Sequence, residues 1–450
     1  MVRRIWGLVL ILAVGACSAA NALADDLHYN NILIGDRASN MGGAYTAVSD
    51  DATGLYYNPA GIVYSAGRSV SANVNGYNYS KKTYKEVIGG NGWVRNSAAL
   101  LPNYFGVVMP MGEDYKIGFS YALPDSITSD QEQTFHDLQL SAAVQPFNPG
   151  VTITSYLINF NEESNTYNIG PSIAKEFSDT FSAGLTLYYY QRKTLRILNQ
   201  IIKTSNGGSE QSTDFFHSTE SGVRPVLGFM WSLPKNVAVG LAFSKVFIAP
   251  TADLGFAKIR IGESKTTFHT SDQRVNIAQD SDPTHNTAIS LPAGPSNSDA
   301  KRTTPKQMSL GVAWFPSSSL LLSADLNFYT AKSVGDIVQF KASSEPLADV
   351  VNVALGTEYY ITKNWAARAG FYTDFANTPK IAEGGINQAE HIDNYGVTAS
   401  ISHFTRNTSV TLGTGFTYGT GQAQIIGDST SIQEAESRGW MINLSSTYAY

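Results

Sequence analysis

The segment SVTLGTGFTY, Ser409–Tyr418, alternates between apolar residues and small or polar ones. A β-strand points successive side chains to opposite faces, so this segment places Val410, Leu412, Phe416 and Tyr418 on one face. Serine, threonine and glycine residues occupy the other face. The pattern predicts a wall that is apolar on one side and polar but uncharged on the other.

The same alternation recurs in the neighbouring segments Tyr395–Ser402 and Leu320–Phe328. Taken along the chain, it predicts fourteen strands, at 68–80, 101–110, 115–124, 160–177, 180–193, 217–232, 236–247, 304–315, 319–331, 349–361, 364–375, 391–403, 406–419 and 438–450. Every second connection is a tight turn, and the others are long and polar, the longest at about 248–303. This rhythm is typical of outer-membrane barrels, whereas a Greek-key sandwich has no reason to keep it. The sequence therefore predicts an all-β fold, a transmembrane antiparallel barrel of fourteen strands.

The composition agrees with a membrane wall. Charged residues make up 15% of the 450 residues, against roughly 25% in soluble proteins. The formal net charge of -6 argues against nucleic acid as a partner, because phosphate binding needs a basic surface.

The N-terminus predicts export. Arg3 and Arg4 precede the apolar run Ile5–Ala16, and Ala22-Leu23-Ala24 supplies a small-x-small cleavage site, so residues 1–24 are predicted to be a signal peptide. The alternative, a membrane anchor, needs a longer apolar run. Cys17 is the only cysteine, so cleavage after Ala24 leaves no disulfide; lipidation of Cys17 stays open as a second possibility.

Four tryptophans, Trp231, Trp314, Trp365 and Trp440, lie near predicted strand ends, where an aromatic girdle is expected. The last strand ends in Tyr450, which resembles the signal that barrel-insertion machinery recognises. We therefore expect a monomer in the outer membrane of a Gram-negative cell, in contact with membrane lipid and lipopolysaccharide.

Residues 25–66 precede the first strand and do not alternate. Gly42-Gly43 permits a tight bend, Asp50-Asp51 can cap a short helical turn, and Asn58-Pro59 indicates a turn. The sequence therefore predicts a separate N-terminal unit at 25–66, followed by the barrel at 67–450.

This unit resembles the FadL/TodX family of outer-membrane transporters for long-chain fatty acids and aromatic hydrocarbons. The resemblance rests on Met41–Ala44, Ala47–Ala52 and Tyr57–Gly61, with weaker likeness at Asn168–Lys175, Leu355–Tyr359 and Arg368–Gly370. It implies that residues 25–66 form a hatch inside a 14-stranded barrel, and that Asn58, Pro59 and Ala60 belong to the hatch motif. It also implies a kink in the third strand, through which substrate leaves sideways into lipid.

The third predicted strand runs from Tyr115 to Leu123 and ends at Pro124. Gly118 is its most permissive interior position and is the candidate for a kink or bulge. A glycine that only makes room for packing in the lumen is the equally weighted alternative.

Strand phase predicts which charges face the lumen, because a lipid-facing Arg or Lys costs roughly 2–4 kcal/mol. Lys116, Asp325 and Glu358 are candidates for a lumen network, which Arg368 can join. Arg224 and Arg368 are candidates for binding a substrate carboxylate through a bidentate contact. The alternative is a set of purely structural salt bridges.

The sequence contains no nucleotide-binding motif, no Gly-x-Ser-x-Gly elbow and no His-Glu-x-x-His metal spacing. We therefore predict no enzyme activity, no metal and no cofactor. The predicted function is passive uptake of hydrophobic molecules, most of all long-chain fatty acids. A general porin and a structural or adhesive surface protein are the alternatives, and a hatch argues against the porin because it blocks bulk water.

Overall fold

A computed structural model of the protein describes residues 27–139, 149–248, 259–270, 304–330, 347–386, 388–425 and 430–449. The predicted signal peptide with Cys17 lies outside the described residues, as do Tyr450 and most of the predicted loop at 248–303.

The wall consists of fourteen antiparallel strands, of which the seventh is divided into three pieces that all pair with the sixth. The strands are β1 (Ser69–Ile88), β2 (Asn91–Met111), β3 (Tyr115–Gln139), β4 (Thr152–Ser178), β5 (Phe181–Thr204), β6 (Ser209–Leu233), β7 (Val237–Lys245, Phe247–Ile248 and Ile259–Thr270), β8 (Lys306–Ser317), β9 (Leu320–Tyr329), β10 (Val350–Thr362), β11 (Trp365–Asp374), β12 (His391–Phe404), β13 (Thr408–Ala423) and β14 (Gln433–Ala449). Each strand pairs with the next, and β1 pairs with β14 from Ser69 opposite Ala449 onwards, so the barrel is closed. The predicted fold class is confirmed.

The alternating segment Ser409–Tyr418 lies in β13, and its two sets of side chains lie on opposite faces of that strand. Val410 and Leu412 are 47% and 57% exposed on the outer face, whereas Thr411 is fully buried on the inner face. The apolar side chains thus face outwards, as a wall in contact with lipid requires.

Six short turns join the strands at one end of the barrel, here called the turn end. The prediction that all connections at the opposite, loop end are long is wrong for two of them: Gly89-Gly90 joins β1 to β2, and residues 205–208 join β5 to β6. The turns lie between Met111 and Tyr115, Ser178 and Phe181, Leu233 and Val237, Ser317 and Leu320, Thr362 and Trp365, and Phe404 and Thr408. These are the six tight connections that the sequence predicts.

The polarity of the wall inverts along β4. In the half nearer the turn end, Ile169 and Ile173 are exposed on the outer face. Towards the loop end, Ile158 and Phe160 are buried on the inner face and Glu163 is exposed on the outer face. Since apolar side chains face out in lipid and in towards a core in water, the wall leaves the membrane between Ile169 and Glu163.

The inverted part of the wall encloses a hydrophobic core at the loop end. It packs β1–β5 against β12, β13 and β14, and its buried members are Tyr84, Val87, Trp93, Phe135, Leu138, Tyr156, Ile158, Phe160, Leu198, Ile202, Ile392, Ala423 and Ala435. This core closes the mouth of the barrel on that side.

The inversion explains why several strands are longer than predicted. The prediction began the second strand at residue 101 and ended the third at Pro124, but β2 begins at Asn91 and β3 continues to Gln139. Outside the membrane these strands carry polar residues on the outer face. A prediction that relies on apolar, lipid-facing alternation assigns such segments to loops.

The hatch, residues 27–66, fills the lumen. It contains two short α-helices, α1 (Asp36–Asn40) and α2 (Gly54–Tyr57), and a 3-10 helix, Pro59–Tyr64. Strands on opposite sides of the barrel hold it: Asn73 of β1 donates to the Gly35 carbonyl at 2.6 Å, and Ser323 of β9 donates to the Ala44 carbonyl at 2.8 Å. Among the described residues, no helix has the length and apolar character to cross a bilayer.

Candidate functional site

A cluster of ion pairs fixes the hatch to β10 and β11. The fully buried Glu358 accepts a hydrogen bond from Arg37 Nη2 of the hatch at 2.6 Å and another from Arg368 Nε at 2.9 Å. Arg37 also pairs with Asp50, and an Arg368 nitrogen lies 3.8 Å from Asp36 Oδ1. The structure thus brings Asp50, Glu358 and Arg368, all singled out from the sequence, into one cluster.

Asp325 and Lys116 bind the hatch separately and do not join this cluster. Asp325 Oδ2 accepts hydrogen bonds from the backbone N–H groups of Tyr45 at 2.9 Å and Thr46 at 2.8 Å. Lys116 Nζ donates to the Ser65 carbonyl. Strand phase predicted the inward direction of these side chains but not their height along the wall. The proposed network of Lys116, Asp325 and Glu358 is therefore three separate anchors.

Asn58 holds the Asn-Pro-Ala motif against the wall. Its Nδ2 donates to the Thr46 carbonyl at 2.8 Å and to the Phe229 carbonyl of β6 at 3.0 Å. Its Oδ1 accepts from the Ala60 N–H at 3.2 Å, which caps the 3-10 helix that begins at Pro59. The motif therefore links two parts of the hatch to each other and to β6.

Gly42 and Gly43 form the bend predicted for the hatch, with φ of 66° and 83°. A Cβ on Gly42 would meet the Phe371 backbone nitrogen at 2.9 Å, so the hatch lies directly against β11 here. Asp51 Oδ1 accepts from the Thr53 N–H at 2.7 Å, the predicted capping contact, whereas Asp50 pairs with Arg37 instead.

Gly118 lies in a regular part of β3. It pairs with Val108 on one side and Ser172 on the other without a register shift. A Cβ on Gly118 would meet Leu55 Cδ2 of the hatch at 2.5 Å. The sequence suggested a kink here, but the register shift in β3 lies between Ala122 and Asp125, and Gly118 makes room for the hatch.

The wall is irregular at one level in three adjacent strands. In β1 the register shifts between Asn75 and Asn78, and in β3 between Ala122 and Asp125. In β2 the consecutive residues Asn103 and Tyr104 are both buried, which marks a change of phase. Each of the three strands thus contains one extra residue relative to the strand that it pairs with, and the three extra residues lie at the same level of the wall.

Between β2 and β3 the backbone ladder is interrupted at this level. Pairing stops at Tyr104 opposite Ala122 and resumes at Ser97 opposite Ser129. The unpaired stretches contain Pro102 and Pro124, and proline has no N–H to donate to a ladder. The wall therefore has an opening between β2 and β3, bounded by the continuous ladder from Tyr104 to the turn end on one side and by the single pair Ser97–Ser129 on the other.

A first cavity of about 240 Å³ lies between the hatch and β6–β9. Its lining includes Tyr29 and Tyr56 of the hatch and Tyr329 of β9. The rings of Tyr29 and Tyr329 are stacked with centroids 4.1 Å apart. Aromatic side chains of this kind suit an apolar or aromatic ligand body.

Arg224 of β6 projects into the same cavity. Its Cζ lies 4.9 Å from the centroid of the Tyr56 ring, and its Nη2 lies 3.3 Å from Gln307 Oε1. No carboxylate among the described residues pairs with it, whereas Arg192, which also lines the cavity, lies opposite Glu220 in the ladder. Arg224 is thus a cation whose guanidinium can bind a ligand carboxylate.

A second cavity of about 120 Å³ lies beside the opening in the wall. Ser97 and Ala99 of β2 and Ser126 and Ile127 of β3 line it. The hatch segment Asn30–Leu33 lines both cavities and separates them. A shift of this segment would join the two.

The hatch segment Asn30–Leu33 has no charged residue, and several hydrogen bonds hold it to the wall. Asp374 Oδ1 accepts from the Asn30 N–H at 3.0 Å, and Tyr57 OH accepts from the Ile34 N–H at 3.2 Å. Burial raises the pKa of Tyr57, so this phenol stays neutral. The segment is held by hydrogen bonds and apolar packing rather than by ion pairs, in contrast to the charged cluster around Glu358.

Arg224 and Arg368, paired in the sequence prediction as carboxylate ligands, have different surroundings. Arg368 lines neither cavity, and its side chain is 1% exposed. Sequence reasoning missed the aromatic lining, the second cavity and the opening. The prolines at 102 and 124 and the change of phase near Asn103 were the available signals.

Neither a protein-family model nor a curated protein sequence matches the chain. Solved structures do match it along nearly its whole length. A FadL homologue from Pseudomonas aeruginosa aligns with a TM-score of 0.58 at 15% identity, covering 93% of this chain and 99% of that chain.

Two toluene transporters align equally well. TbuX from Ralstonia pickettii has a TM-score of 0.56 at 14% identity, and TodX from P. putida has 0.56 at 12%; each covers 93% of this chain and 98% of its own. At these identities the likeness shows the fold. The chain therefore has the fold of the FadL homologue and the toluene transporters, as the sequence resemblance implied.

Proposed function

We propose that this protein is an outer-membrane channel that takes up hydrophobic small molecules, long-chain fatty acids above all, and releases them sideways into the lipid. The observation that carries the proposal is the interrupted ladder between β2 and β3 beside the second cavity. The hatch obstructs straight passage through the lumen, so an opening in the wall offers a route that a plain pore does not need.

The solved structures of the same fold support this class of function, since two of them are described as toluene transporters. The predicted signal peptide at 1–24, which directs export, belongs to the same proposal. A monomeric state, in which each barrel encloses its own transport path, is also part of the proposal.

The path begins at the loop end, on the side of β6–β9, because the hydrophobic core closes the mouth on the side of β1–β5. The ligand then enters the first cavity, where the tyrosines contact its apolar body and Arg224 binds its carboxylate. A shift of Asn30–Leu33 opens the second cavity. The ligand leaves between β2 and β3, at the level of residues 162–168 of β4, where the wall leaves the membrane.

Purified protein in liposomes is expected to transport oleate and toluene but not a small sugar, because the hatch obstructs the aqueous route and the cavity is aromatic. Uptake of the three radiolabelled compounds measures this. Sugar uptake at the rate of oleate would identify a general porin instead. Absence of any uptake, combined with binding of cells through the loops, would identify a surface adhesin.

Replacing Arg224 with Gln is expected to weaken oleate binding by roughly ten- to a hundredfold and to leave toluene binding unchanged. A charge-assisted hydrogen bond is worth about 1.5–3 kcal/mol, and each 1.4 kcal/mol is tenfold in affinity. Tryptophan fluorescence titrations of the folded protein measure both ligands.

Lys116→Gln provides the matched control, because Lys116 is also an inward cation but bonds to Ser65 and lines neither cavity. It is expected to bind both ligands as the wild type does. Equal losses of oleate and toluene in Arg224→Gln would show that Arg224 only supports the wall.

A further inference from the structure

We propose that Lys245 and Lys306 form a binding site on the outer surface of the barrel for a phosphate group of an outer-leaflet glycolipid of the lipid A type. The two lysines are directly opposite each other in the ladder between β7 and β8. This site lies on the lipid side of the wall, so the inference does not depend on which molecule the channel transports.

The neighbours of the two lysines fix their direction. Ser244 precedes Lys245, and Gln307 follows Lys306. Ser244 and Gln307 hydrogen-bond each other at 3.0 Å inside the barrel, where both line the first cavity. Because side chains alternate along a strand, Lys245 and Lys306 face outwards. Lys245 Nζ lies 5.1 Å from the ring centroid of Phe247, which is exposed on that surface.

Two like charges directly opposite on one face of a sheet are destabilising. No carboxylate pairs with either lysine among the residues that the structure describes. A second pair of cations, Lys81 and Arg438, is likewise opposite in the ladder of β1 and β14, but there Arg438 pairs with Glu436. The opposed pair Lys82 and Arg95 likewise has carboxylate partners, Glu390 and Glu162. Among these three pairs, all within the described residues, only Lys245 and Lys306 lack a carboxylate, which an external anion would supply.

The height of the lysine pair matches the headgroup region. Below it the outer face of β7 and β8 is apolar down to Trp314, which is opposite Val237 at the turn end. Eight residues separate Lys306 from Trp314, about 26 Å along a strand at roughly 3.3 Å per residue. A strand tilt of about 40° reduces this to roughly 20 Å, close to the apolar band of such barrels.

The surface below the lysines suits acyl chains. Phe243 lies opposite Met308, and Leu241 lies opposite Leu310, and all four side chains face outwards. A phosphate between the two ammonium groups would form charge-assisted hydrogen bonds and remove their mutual repulsion. A phosphorylated glycolipid with several acyl chains can bind the two ammonium groups through its phosphate and cover the apolar side chains below them with its acyl chains.

The test compares the wild type with Lys245→Gln/Lys306→Gln and with the control Lys81→Gln/Arg438→Gln, which removes the cation pair at similar height on the other side. Each folded protein in detergent is incubated with bisphosphorylated lipid A, with its dephosphorylated form and with inorganic phosphate. Native mass spectrometry measures bound lipid, and the temperature at which heat-modifiable migration is lost measures stability.

We expect lipid A retention to fall at least tenfold in Lys245→Gln/Lys306→Gln and to stay unchanged in the control pair. Dephosphorylated lipid A should bind all three proteins equally weakly. Equal retention of lipid A by the wild type and the lysine variant would overturn the proposal. Protection by inorganic phosphate as strong as that by lipid A would also overturn it, since the site would then bind a free anion. Heat-modifiable migration of the unheated samples verifies that both variants fold.

Discussion

Replacing Glu358 with Gln is expected to detach the hatch from β10 and β11 and to lower the free energy of unfolding by about 3–5 kcal/mol, because removing one partner leaves buried charges unpaired. Glu358 accepts hydrogen bonds from two arginines, Arg37 and Arg368, so both lose their shared carboxylate. Urea unfolding in detergent measures the stability, and single-channel conductance in planar bilayers measures the release of the hatch.

The control is Glu434→Gln, which removes the carboxylate of an exposed ion pair with Lys85. Exposed pairs are screened by water and contribute little, so stability and conductance should match those of the wild type. A Glu358→Gln protein with wild-type stability and no added conductance would show that the hydrogen bonds at Asp325 and Asn58 suffice to hold the hatch.

Joining Ala99 and Ile127 through a disulfide is expected to reduce oleate uptake at least tenfold. Continuing the register from Ser97 opposite Ser129 places these two residues opposite each other across the interrupted ladder, and both line the second cavity. An oxidised Ala99→Cys/Ile127→Cys pair would hold the strands together where the ligand is proposed to leave. Uptake into liposomes before and after reduction measures the effect, and reduction should restore it.

The matched control is a disulfide between Ser97→Cys and Ser129→Cys, where β2 and β3 already pair. It adds the same crosslink without closing the opening, so uptake should be unchanged. Full uptake through the oxidised Ala99→Cys/Ile127→Cys protein would place the exit elsewhere. Oleate binding, measured in parallel, should be the same in all these proteins, because the first cavity is untouched.

Much of the wall could be predicted because a membrane imposes a simple rule on each strand. Within lipid every outward side chain must be apolar, so segments such as Ser409–Tyr418 reveal their own phase. The rule fails outside the membrane. There β3 and β4 continue with their polar face outwards, and the same alternation carries the opposite meaning. The prediction therefore ended β3 too early, at Pro124 instead of Gln139, and began β4 too late, at residue 160 instead of Thr152.

The candidate site was predicted less completely than the wall. The phase of the strands predicted that Arg224 and Arg368 face inwards. It did not predict that the hatch places the two arginines in different environments. Arg368 meets Glu358 near the turn end, where the hatch is anchored, whereas Arg224 lines a cavity with hatch tyrosines. Which inward charges are satisfied depends on a segment hundreds of residues away in sequence.

The sequence by itself determined the barrel, its strand number, the tight turns and a non-alternating N-terminal segment, because these follow from local periodicity. Only the tertiary structure decided how the hatch lies in the lumen, which charges it pairs with, and where the wall opens. The opening arises from irregularities in β1, β2 and β3 that coincide at one height. Such a coincidence depends on the register between strands, and register is a property of the assembled sheet rather than of any single segment.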